Sequence, residues 1–423
     1  MLGGTVCMAL LAPISRGAAQ SSSPALTTLY SFAGNGGYGP NGSVVIGRGG
    51  VLYGATLGGG TSSACGPGCG TVFSLTPPAD AGGAWAETVI HNFALGSGDG
   101  AFPNGVVMGA DGVLYGTARL GGTSGDGIVF SLTPPAGPEG SPAGGPWGET
   151  VLYNFTDGAI DGGIPTSPLI HSRGVLYGTT TAGGLFGSGT VFALAPPAAG
   201  SAGGAWTETT IYNFTGAATG LLSAIGPDGL LYGISAGGGT GSACWDGCGS
   251  VFSLTPPAAP GGAWTESVLY NFTGPDGASP AEVVIGRDSI LFGIATAGGK
   301  FGLGNVFSLI PPASAGGSWT EHSLHSYPKS GEFSYLPSSL VVSSNNGVLY
   351  GTTEYGGRGG DGTVFSLIPP SPGGAWTYTV LHEFTNGGGG AFPCCLAEDN
   401  GVIYGATNSG GTSGDGTAFA LRP

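Results

Sequence analysis

The sequence is poor in charge, and poorest in positive charge. Only 8% of the 423 residues are charged, and the nine Lys and Arg residues are scattered along the chain rather than gathered in a stripe. Ordinary soluble domains carry about a quarter charged residues. Because no basic patch exists to neutralise phosphates, the sequence argues against nucleic-acid binding. The net charge of −15 likewise gives no electrostatic attraction to an anionic membrane surface.

Long apolar runs are also missing, except for one near the N-terminus. That segment, GGTVCMALLAPI, is too short to cross a bilayer but has the length of a signal-peptide core, and Gly17 and Ala19 suit cleavage after Ala19. No Lys or Arg precedes the run, which leaves open an upstream start or a disordered apolar tail. We expect residues 1–25 to be a signal peptide with a short linker. The mature protein is then secreted or held at the cell surface, without a membrane span.

Motifs for cofactors, metals and covalent catalysis are absent too. The chain has no Asp-x-Asp-x-Asp run for calcium and no Cys-x-x-Cys redox pair. His171 and His322 stand away from any Cys or acidic cluster at metal-ligand spacing. The glycine-rich segments lead into strands rather than helix N-termini, so they are not phosphate-binding loops. We therefore expect no cofactor, no metal ion and no catalytic residue.

What the sequence has in abundance is glycine, 91 residues in all, arranged in a repeat. Each repeat pairs a Leu-Tyr-Gly phrase or a close variant with a later GTVFSL phrase or a near copy. Seven copies are present, and their aromatic residues are 54 to 62 positions apart. Those residues are Tyr53, Tyr115, Tyr177, Tyr232, Phe292, Tyr350 and Tyr404.

Each repeat contains four strand-like runs with tight, glycine-containing turns. In the third copy, Arg173–Gly174 joins the first two runs, as in a two-residue hairpin, and strict alternation places Thr210 and Tyr212 on the same face of the fourth. Both faces of the runs are apolar or small, which is typical of sheets covered on both sides. The pattern predicts an all-β, seven-bladed β-propeller over residues 26–423, with four antiparallel strands per blade. A β-solenoid is the alternative, but it requires parallel strands.

The two ends of the repeat region complement each other. The seventh copy stops after its third strand, whereas LTTLYSF at Leu26–Phe32 is a fourth strand without a blade. We expect this N-terminal strand to complete the last blade and close the ring. The other six copies have a fourth strand led by tryptophan, at Trp85, Trp147, Trp206, Trp264, Trp319 and Trp376.

The tandem phrase LYGTT…GG…GTVFSLTP…W…LYNF resembles the Gloeo/Verruco (GloVer) repeat, which occurs in tandem in exported bacterial proteins. The resemblance covers nearly all of residues 26–423. It implies a secreted or surface-exposed protein with no established enzymatic activity. It therefore transfers no catalytic residue to this chain.

One face of the predicted propeller is the better candidate for binding. In a four-stranded blade, the loop between the second and third strands and the crossing to the next blade share a face, here called the top face. Its acidic residues either contribute to a calcium or sugar site or form Asx turns, and the second interpretation is favoured because Asp-Gly pairs readily form turns. The candidates are Asp126, Asp361 and Asp415 before third strands, and Asp99, Asp161 and Asp276 in crossings.

Recurrent acids and histidines in the fourth strands favour a structural interpretation. A glutamate follows the tryptophan by two positions in five copies, and a catalytic pair would have to be unique rather than repeated. His91, His325 and His382 take a position that is tyrosine elsewhere, so we interpret them as packing aromatics and not as ligands. The glutamates are Glu87, Glu149, Glu208, Glu266 and Glu321.

The cysteines fall into local pairs. Cys65 and Cys69 lie in the top-face loop of the first repeat, and Cys244 and Cys248 lie in the same loop of the fourth. These blades are too far apart to share a zinc ion or a disulfide, so each pair forms a local disulfide or stays reduced, and export favours the disulfide. Cys394–Cys395 is open: a vicinal disulfide, two thiols or another partner.

Two functions are compatible with the sequence. The favoured one is an exported, monomeric, non-catalytic propeller that binds a glycan, a surface polymer or a protein partner, because the acidic residues follow the repeat. The alternative is a secreted polysaccharide hydrolase or lyase. That alternative requires two carboxylates outside the repeat pattern, such as Glu332 and Glu354, to face each other at the mouth of the ring.

Overall fold

The computed structural model describes most of the repeat region. The described residues are 24–80, 82–96, 98–110, 112–135, 145–167, 169–198, 204–216, 220–259, 261–314, 316–328, 335–371 and 374–423. The expected signal peptide and Glu332 therefore lie outside the described residues. Within these ranges no helix is long and apolar enough to cross a membrane.

The strands group into seven sheets. After β1 (Ala25–Ser31), the first three blades are β2 (Tyr38–Ile46), β3 (Leu52–Gly58), β4 (Thr71–Thr76), β5 (Ala86–Asn92); β6 (Gly100–Met108), β7 (Leu114–Gly121), β8 (Ile128–Thr133), β9 (Gly148–Asn154); and β10 (Gly162–Pro165), β11 (Ile170–Ser172), β12 (Val175–Gly183), β13 (Thr190–Ala195), β14 (Thr207–Asn213). In blade 3 the first strand is divided into β10 and β11, and both pair with β12.

The remaining four blades repeat the plan. They are β15 (Gly220–Ile225), β16 (Leu231–Ser235), β17 (Ser250–Thr255), β18 (Thr265–Asn271); β19 (Ala278–Ile285), β20 (Leu291–Ala297), β21 (Asn305–Ile310), β22 (Thr320–Ser326); β23 (Tyr335–Val342), β24 (Leu349–Tyr355), β25 (Thr363–Ile368), β26 (Thr377–Glu383); and β27 (Ala391–Asp399), β28 (Val402–Ser409), β29 (Thr417–Arg422). Short 3-10 turns lie at Gly34–Gly36, Arg48–Gly50 and Arg287–Ser289.

The ring closes as the sequence predicted. All strand pairs are antiparallel, which rules out the solenoid, and the last sheet has the order β1-β29-β28-β27. Leu26 pairs with Leu421 and Thr28 with Phe419, so β1 supplies the missing outer strand. The first strand of blade 1 contacts the first strands of both blade 2 and blade 7, so the first strands line the centre.

An aromatic ring on each third strand explains the repeat motif. Phe252 lies against Gly233 of the neighbouring strand, where an added Cβ would come within 2.5 Å of the ring. The same ring meets Phe214 from the end of the preceding blade edge-on, at a centroid distance of 5.9 Å. Equivalent aromatic pairs occur at all seven blade boundaries, which we call seams. The glycine makes room for a ring that binds two blades together.

A second aromatic contact links the blades in the reverse direction. Trp206 of blade 3 packs 5.9 Å from the ring of Tyr115 in blade 2, and Trp264 packs 6.1 Å from Tyr177. These two tryptophans therefore cover the seam between their own blade and the preceding one.

A β-bulge in every fourth strand was not predicted. Between Val191 and Phe192 the register of β13 and β14 shifts, so Thr210 lies opposite Phe192 and Tyr212 opposite Val191. The extra residue puts Thr210 and Tyr212 on different faces, and the strict alternation expected from sequence was wrong there. The two-residue turn Arg173–Gly174 is confirmed by pairing of its flanking residues.

Removing the closing strand should destabilise the whole ring. A chain that begins at Ala33 exposes the edge of β29, because β1 no longer pairs with it, and exposed edges recruit other chains. We expect a lower melting temperature and aggregates in light scattering. A chain that begins at Pro24 is the control, because it retains β1. Equal melting temperatures and monomeric behaviour for both chains would show that β1 is dispensable.

Replacing a seam tryptophan should cost stability as well. Trp206→Ala removes the contact with Tyr115 and is expected to lower the free energy of unfolding by about 2–4 kcal/mol. Trp245→Ala is the control, because that side chain is fully exposed, at 102%. Denaturant titrations measure both, and the same midpoint for Trp206→Ala and the wild type would contradict the seam role.

Candidate functional site

Disulfides clamp two top-face loops. Cys65 is bonded to Cys69 and Cys244 to Cys248, with Cα atoms 5.1 and 5.2 Å apart, which confirms the predicted pairing. The second cysteine of each pair also supports the next blade. Cys69 O accepts a hydrogen bond from Phe102 N–H at 2.8 Å, as the carbonyl of Cys248 does from the next blade at 3.0 Å.

Three of the candidate aspartates occupy the same position as these second cysteines. The carbonyls of Asp126 and Asp361 each accept an N–H from the next blade at 2.8 Å, and that of Asp415 accepts one at 3.0 Å. Asp415 Oδ2 also accepts the N–H of Gly34 at 2.9 Å. In these five blades the carbonyl two positions before the third strand therefore links one blade to the next, whether its residue is Cys or Asp.

The other three candidate aspartates organise the crossings. Asp161 accepts hydrogen bonds from the N–H groups of Thr156 and Gly162 at 2.9 and 2.7 Å. Asp99 does the same for Ala94 and Gly100, and Asp276 accepts the N–H and hydroxyl of the threonine three positions earlier. These contacts are the turn-forming role that the sequence favoured.

The recurrent glutamates gather at the seams, beside the aromatic residue of the preceding blade. Tyr30 donates a hydrogen bond to Glu87 at 3.3 Å across the seam between blades 7 and 1. Burial, with Asp161 nearby, raises the pKa of Glu208 to about 7. Burial, with Asp276 nearby, raises the pKa of Glu321 to about 7. The recurrent glutamates therefore neighbour the preceding blade, and burial favours the protonated form of Glu208 and Glu321.

Two of the three fourth-strand histidines are packing aromatics, as interpreted. His325 stacks on Tyr378 with ring centroids 3.8 Å apart, and burial lowers its pKa to about 4. His382 packs edge-on against Phe384 at 4.8 Å.

His91 is different, and its surroundings were missed from the sequence. Its ring also packs on Phe93, at 4.7 Å. Its Nε2 atom, however, lies 3.2 Å from Asp99 Oδ1 and 4.0 Å from Glu149 Oε1. Burial raises the pKa of Glu149 to about 7, with the neighbouring His91 acting against the shift. Aligning the repeats would have shown an acid in the crossing and a glutamate across the seam from this histidine.

The mouth of the central channel holds a cavity of about 310 Å³ on the top face. Around the channel, side chains of the first strands form hydrogen bonds between neighbouring blades. Asn104 Nδ2 donates to Pro165 O at 2.7 Å, and Ser338 Oγ donates to Pro393 O at 2.8 Å. The cavity is lined by Asn41, Gly42, Leu57, Asn104, Arg119 and Thr166.

Cys394 and Cys395 are bonded to each other, which decides among the alternatives left open. They lie in β27, the innermost strand of blade 7. Cys394 Sγ lies 3.7 Å from Pro40 O of blade 1, at the position from which Asn104 and Ser338 reach the next blade. A disulfide sulfur has no proton to donate, so this seam has a contact in place of a hydrogen bond.

The most exposed large apolar side chains all lie on the top face. Trp245 is 102% exposed inside the disulfide loop of blade 4, and Leu185 and Phe186 are 64% and 61% exposed in the corresponding loop of blade 3. Ile160 is 86% exposed in the crossing into blade 3. The loops of blades 3 and 4 and the crossing into blade 3 therefore present apolar side chains to solvent.

Comparisons with known proteins agree with this architecture. A family model described as the Gloeobacter/Verrucomicrobia repeat matches residues 17–141 and 222–419. A proposed 6-phosphogluconolactonase from Bacteroides fragilis NCTC 9343 is similar in structure, with a TM-score of 0.51 and 14% identity over 87% of this chain and 93% of that one. A protein from Lactobacillus plantarum has a TM-score of 0.50 and 16% identity over 79% and 84%. At such identities the likeness shows the fold alone. In sequence, no curated protein matches the chain.

A buried glutamate in the first strand of blade 5 should make the stability of the protein depend on pH. Glu282 Oε2 accepts the N–H of Leu340 in blade 6 at 2.9 Å, and burial raises the pKa of Glu282 from 4.5 to about 7. The folded protein then holds this proton more tightly than the unfolded chain does. The contribution of Glu282 to the free energy of unfolding is therefore fully present below about pH 4.5 and is lost as the pH rises through about 7.

We therefore expect Glu282→Gln to reduce the fall in melting temperature between pH 5 and pH 8, because glutamine keeps an acceptor but does not titrate. The group contributes up to about 3 kcal/mol to this pH dependence. Asp80→Asn, at an exposed linker position, is the control. An identical pH profile for Glu282→Gln and the wild type would refute the assignment.

Proposed function

This chain belongs to the Gloeobacter/Verrucomicrobia repeat family, and we propose that it is an exported, monomeric, non-catalytic propeller whose top face binds a glycan. The observation that carries the proposal is Trp245. Its side chain is fully exposed, yet the loop that carries it is closed by the Cys244–Cys248 disulfide. An exposed aromatic ring on a constrained loop costs little conformational entropy on binding.

The surface around Trp245 extends the argument to neighbouring blades. Leu185 and Phe186 are exposed on the same face, in the loop of blade 3, and exposed apolar groups that gather on one surface mark interaction sites in soluble proteins. Tryptophan is also the residue type most enriched at positions that dominate binding energy. This face is therefore better suited to hold a partner than to face water alone.

A neutral glycan fits the chemistry of this face. The apolar faces of sugar rings pack against aromatic side chains, while their hydroxyl groups suit a surface rich in Ser, Thr, Asn and glycine backbone. Only 8% of the residues are charged, so the protein has few side chains that could pair with a charged ligand. The cavity at the channel mouth adds an opening on the same face, with Arg119 and Thr166 at its wall.

The acids favour binding over catalysis. Asp99, Asp161 and Asp276 are already engaged by backbone N–H groups of their own crossings. The hydrolase or lyase alternative depends on two carboxylates outside the repeat that face each other, such as Glu332 and Glu354, and Glu332 lies outside the described residues. It is an outcome of the test below.

The disulfides support export. Bonds at Cys65–Cys69, Cys244–Cys248 and Cys394–Cys395 persist in oxidising compartments and are rare where glutathione keeps thiols reduced. A secreted or surface location is consistent with all three.

Binding to a glycan array, followed by titration calorimetry on the best neutral glycan, tests the proposal. We expect Trp245→Ala to weaken binding by about 30-fold, or about 2 kcal/mol, and Trp245→Phe to retain most of the affinity. Both variants should melt like the wild type, because the side chain is exposed. Unchanged affinity in Trp245→Ala would contradict the site. Release of reducing sugar by the wild type would instead favour the hydrolase or lyase.

A further inference from the structure

Three side chains with metal-binding atoms converge at the seam between blades 1 and 2. His91 comes from β5, Asp99 from the crossing between the blades, and Glu149 from β9. Their ligand atoms all lie within 4.8 Å of one another, and this is the only such group of three among the described residues. The set offers one nitrogen and two carboxylate oxygens.

The spacing suits a small divalent ion. Zinc binds imidazole nitrogen and carboxylate oxygen at about 2.0–2.2 Å, so two ligands of a tetrahedral site lie about 3.3–3.5 Å apart. His91 Nε2 is 3.2 Å from Asp99 Oδ1 and 4.0 Å from Glu149 Oε1. An inward movement of the Glu149 carboxylate would bring it within the ligand spacing of such a site.

The cluster is partly exposed to solvent, and one of its oxygen atoms lacks a hydrogen-bond partner. The three side chains are 17–19% exposed, which leaves an entry path and room for a water ligand. Glu149 Oε1 is buried and has no hydrogen-bond partner among the described residues. A buried carboxylate oxygen without a donor is costly, and a cation would satisfy it.

Other seams show why this one differs. Tyr153, Asp161 and Glu208 occupy the same positions between blades 2 and 3, and Tyr270 donates a hydrogen bond to Asp276 at 2.6 Å between blades 4 and 5. A protonated phenol is a poor ligand, whereas a neutral imidazole has a free lone pair.

The two remaining fourth-strand histidines lack the glutamate. Its place is taken by Tyr378 opposite His325 and by Leu26 opposite His382. Among the seven seams, histidine, aspartate and glutamate therefore occur together at one.

We propose that His91, Asp99 and Glu149 bind a divalent transition-metal ion such as Zn²⁺, with water completing its coordination. His91 Nε2 and one oxygen from each carboxylate are the protein ligands. Because the ligands come from both blades and from the crossing between them, the ion fastens this seam. Binding to the folded chain alone then raises its thermal stability.

Titration of tag-free, chelator-treated full chain with Zn²⁺ tests the site, with Co²⁺ as a spectroscopic probe. We expect one ion per chain in calorimetry, a visible Co²⁺ absorption band of low-coordinate nitrogen and oxygen ligands, and a higher melting temperature that EDTA reverses. His91→Tyr installs the residue found at the other seams, so it should fold and lose binding. The affinity for Zn²⁺ should fall by more than the about 10–100-fold that is lost when a residue hydrogen-bonded to a metal ligand is replaced, because His91 is itself a ligand.

The repeat also supplies a gain-of-function control. Tyr153→His recreates the set beside Asp161 and Glu208, and we expect the stoichiometry to rise from one ion to two. Absence of Zn²⁺ binding by the wild type would overturn the proposal, as would unchanged binding by His91→Tyr. A folded Tyr153→His variant that still binds one ion would contradict the deciding role of the imidazole.

Discussion

The contact between a third-strand phenylalanine, a second-strand glycine and an aromatic ring of the preceding blade underlies the whole structure. Phe252 lies over Gly233 on one side and meets Phe214 on the other. Because part of each ring contacts the preceding blade, its apolar surface is fully buried only when blades adjoin. The chain therefore has to close, and β1 closes it against β29.

Variation among equivalent positions gives this ring its chemistry. In five blades the residue two positions before the third strand supplies a carbonyl to the next blade, so its side chain is free to be Asp126 in one blade and disulfide-bonded Cys248 in another. The fourth-strand aromatic need only pack, so His91 can replace a tyrosine and bring a nitrogen to Asp99. Side chains of different chemistry thus occupy equivalent positions without disturbing the repeat.

Much of the fold could be predicted from the sequence because the same strand and turn pattern occurs seven times. Blade number, the closing strand and the disulfide at Cys65 needed only spacing and position. The bulge beside Phe192 did not, since one inserted residue leaves no mark in a polar and apolar pattern. The approach of His91 to Glu149 depends on how adjacent blades are staggered, which no single repeat records.

Native-state hydrogen exchange measured by mass spectrometry tests the central claim, that the seams make seven blades one cooperative ring. The account predicts that amides of β1 and β29 exchange with the same free energy as those of β17 in the opposite part of the ring, because all open together. Exchange of β1 amides many times faster, with the remaining blades still protected, would contradict it. Each blade would then be stable by itself, and pairing of β1 with β29 would contribute little to the stability of the ring.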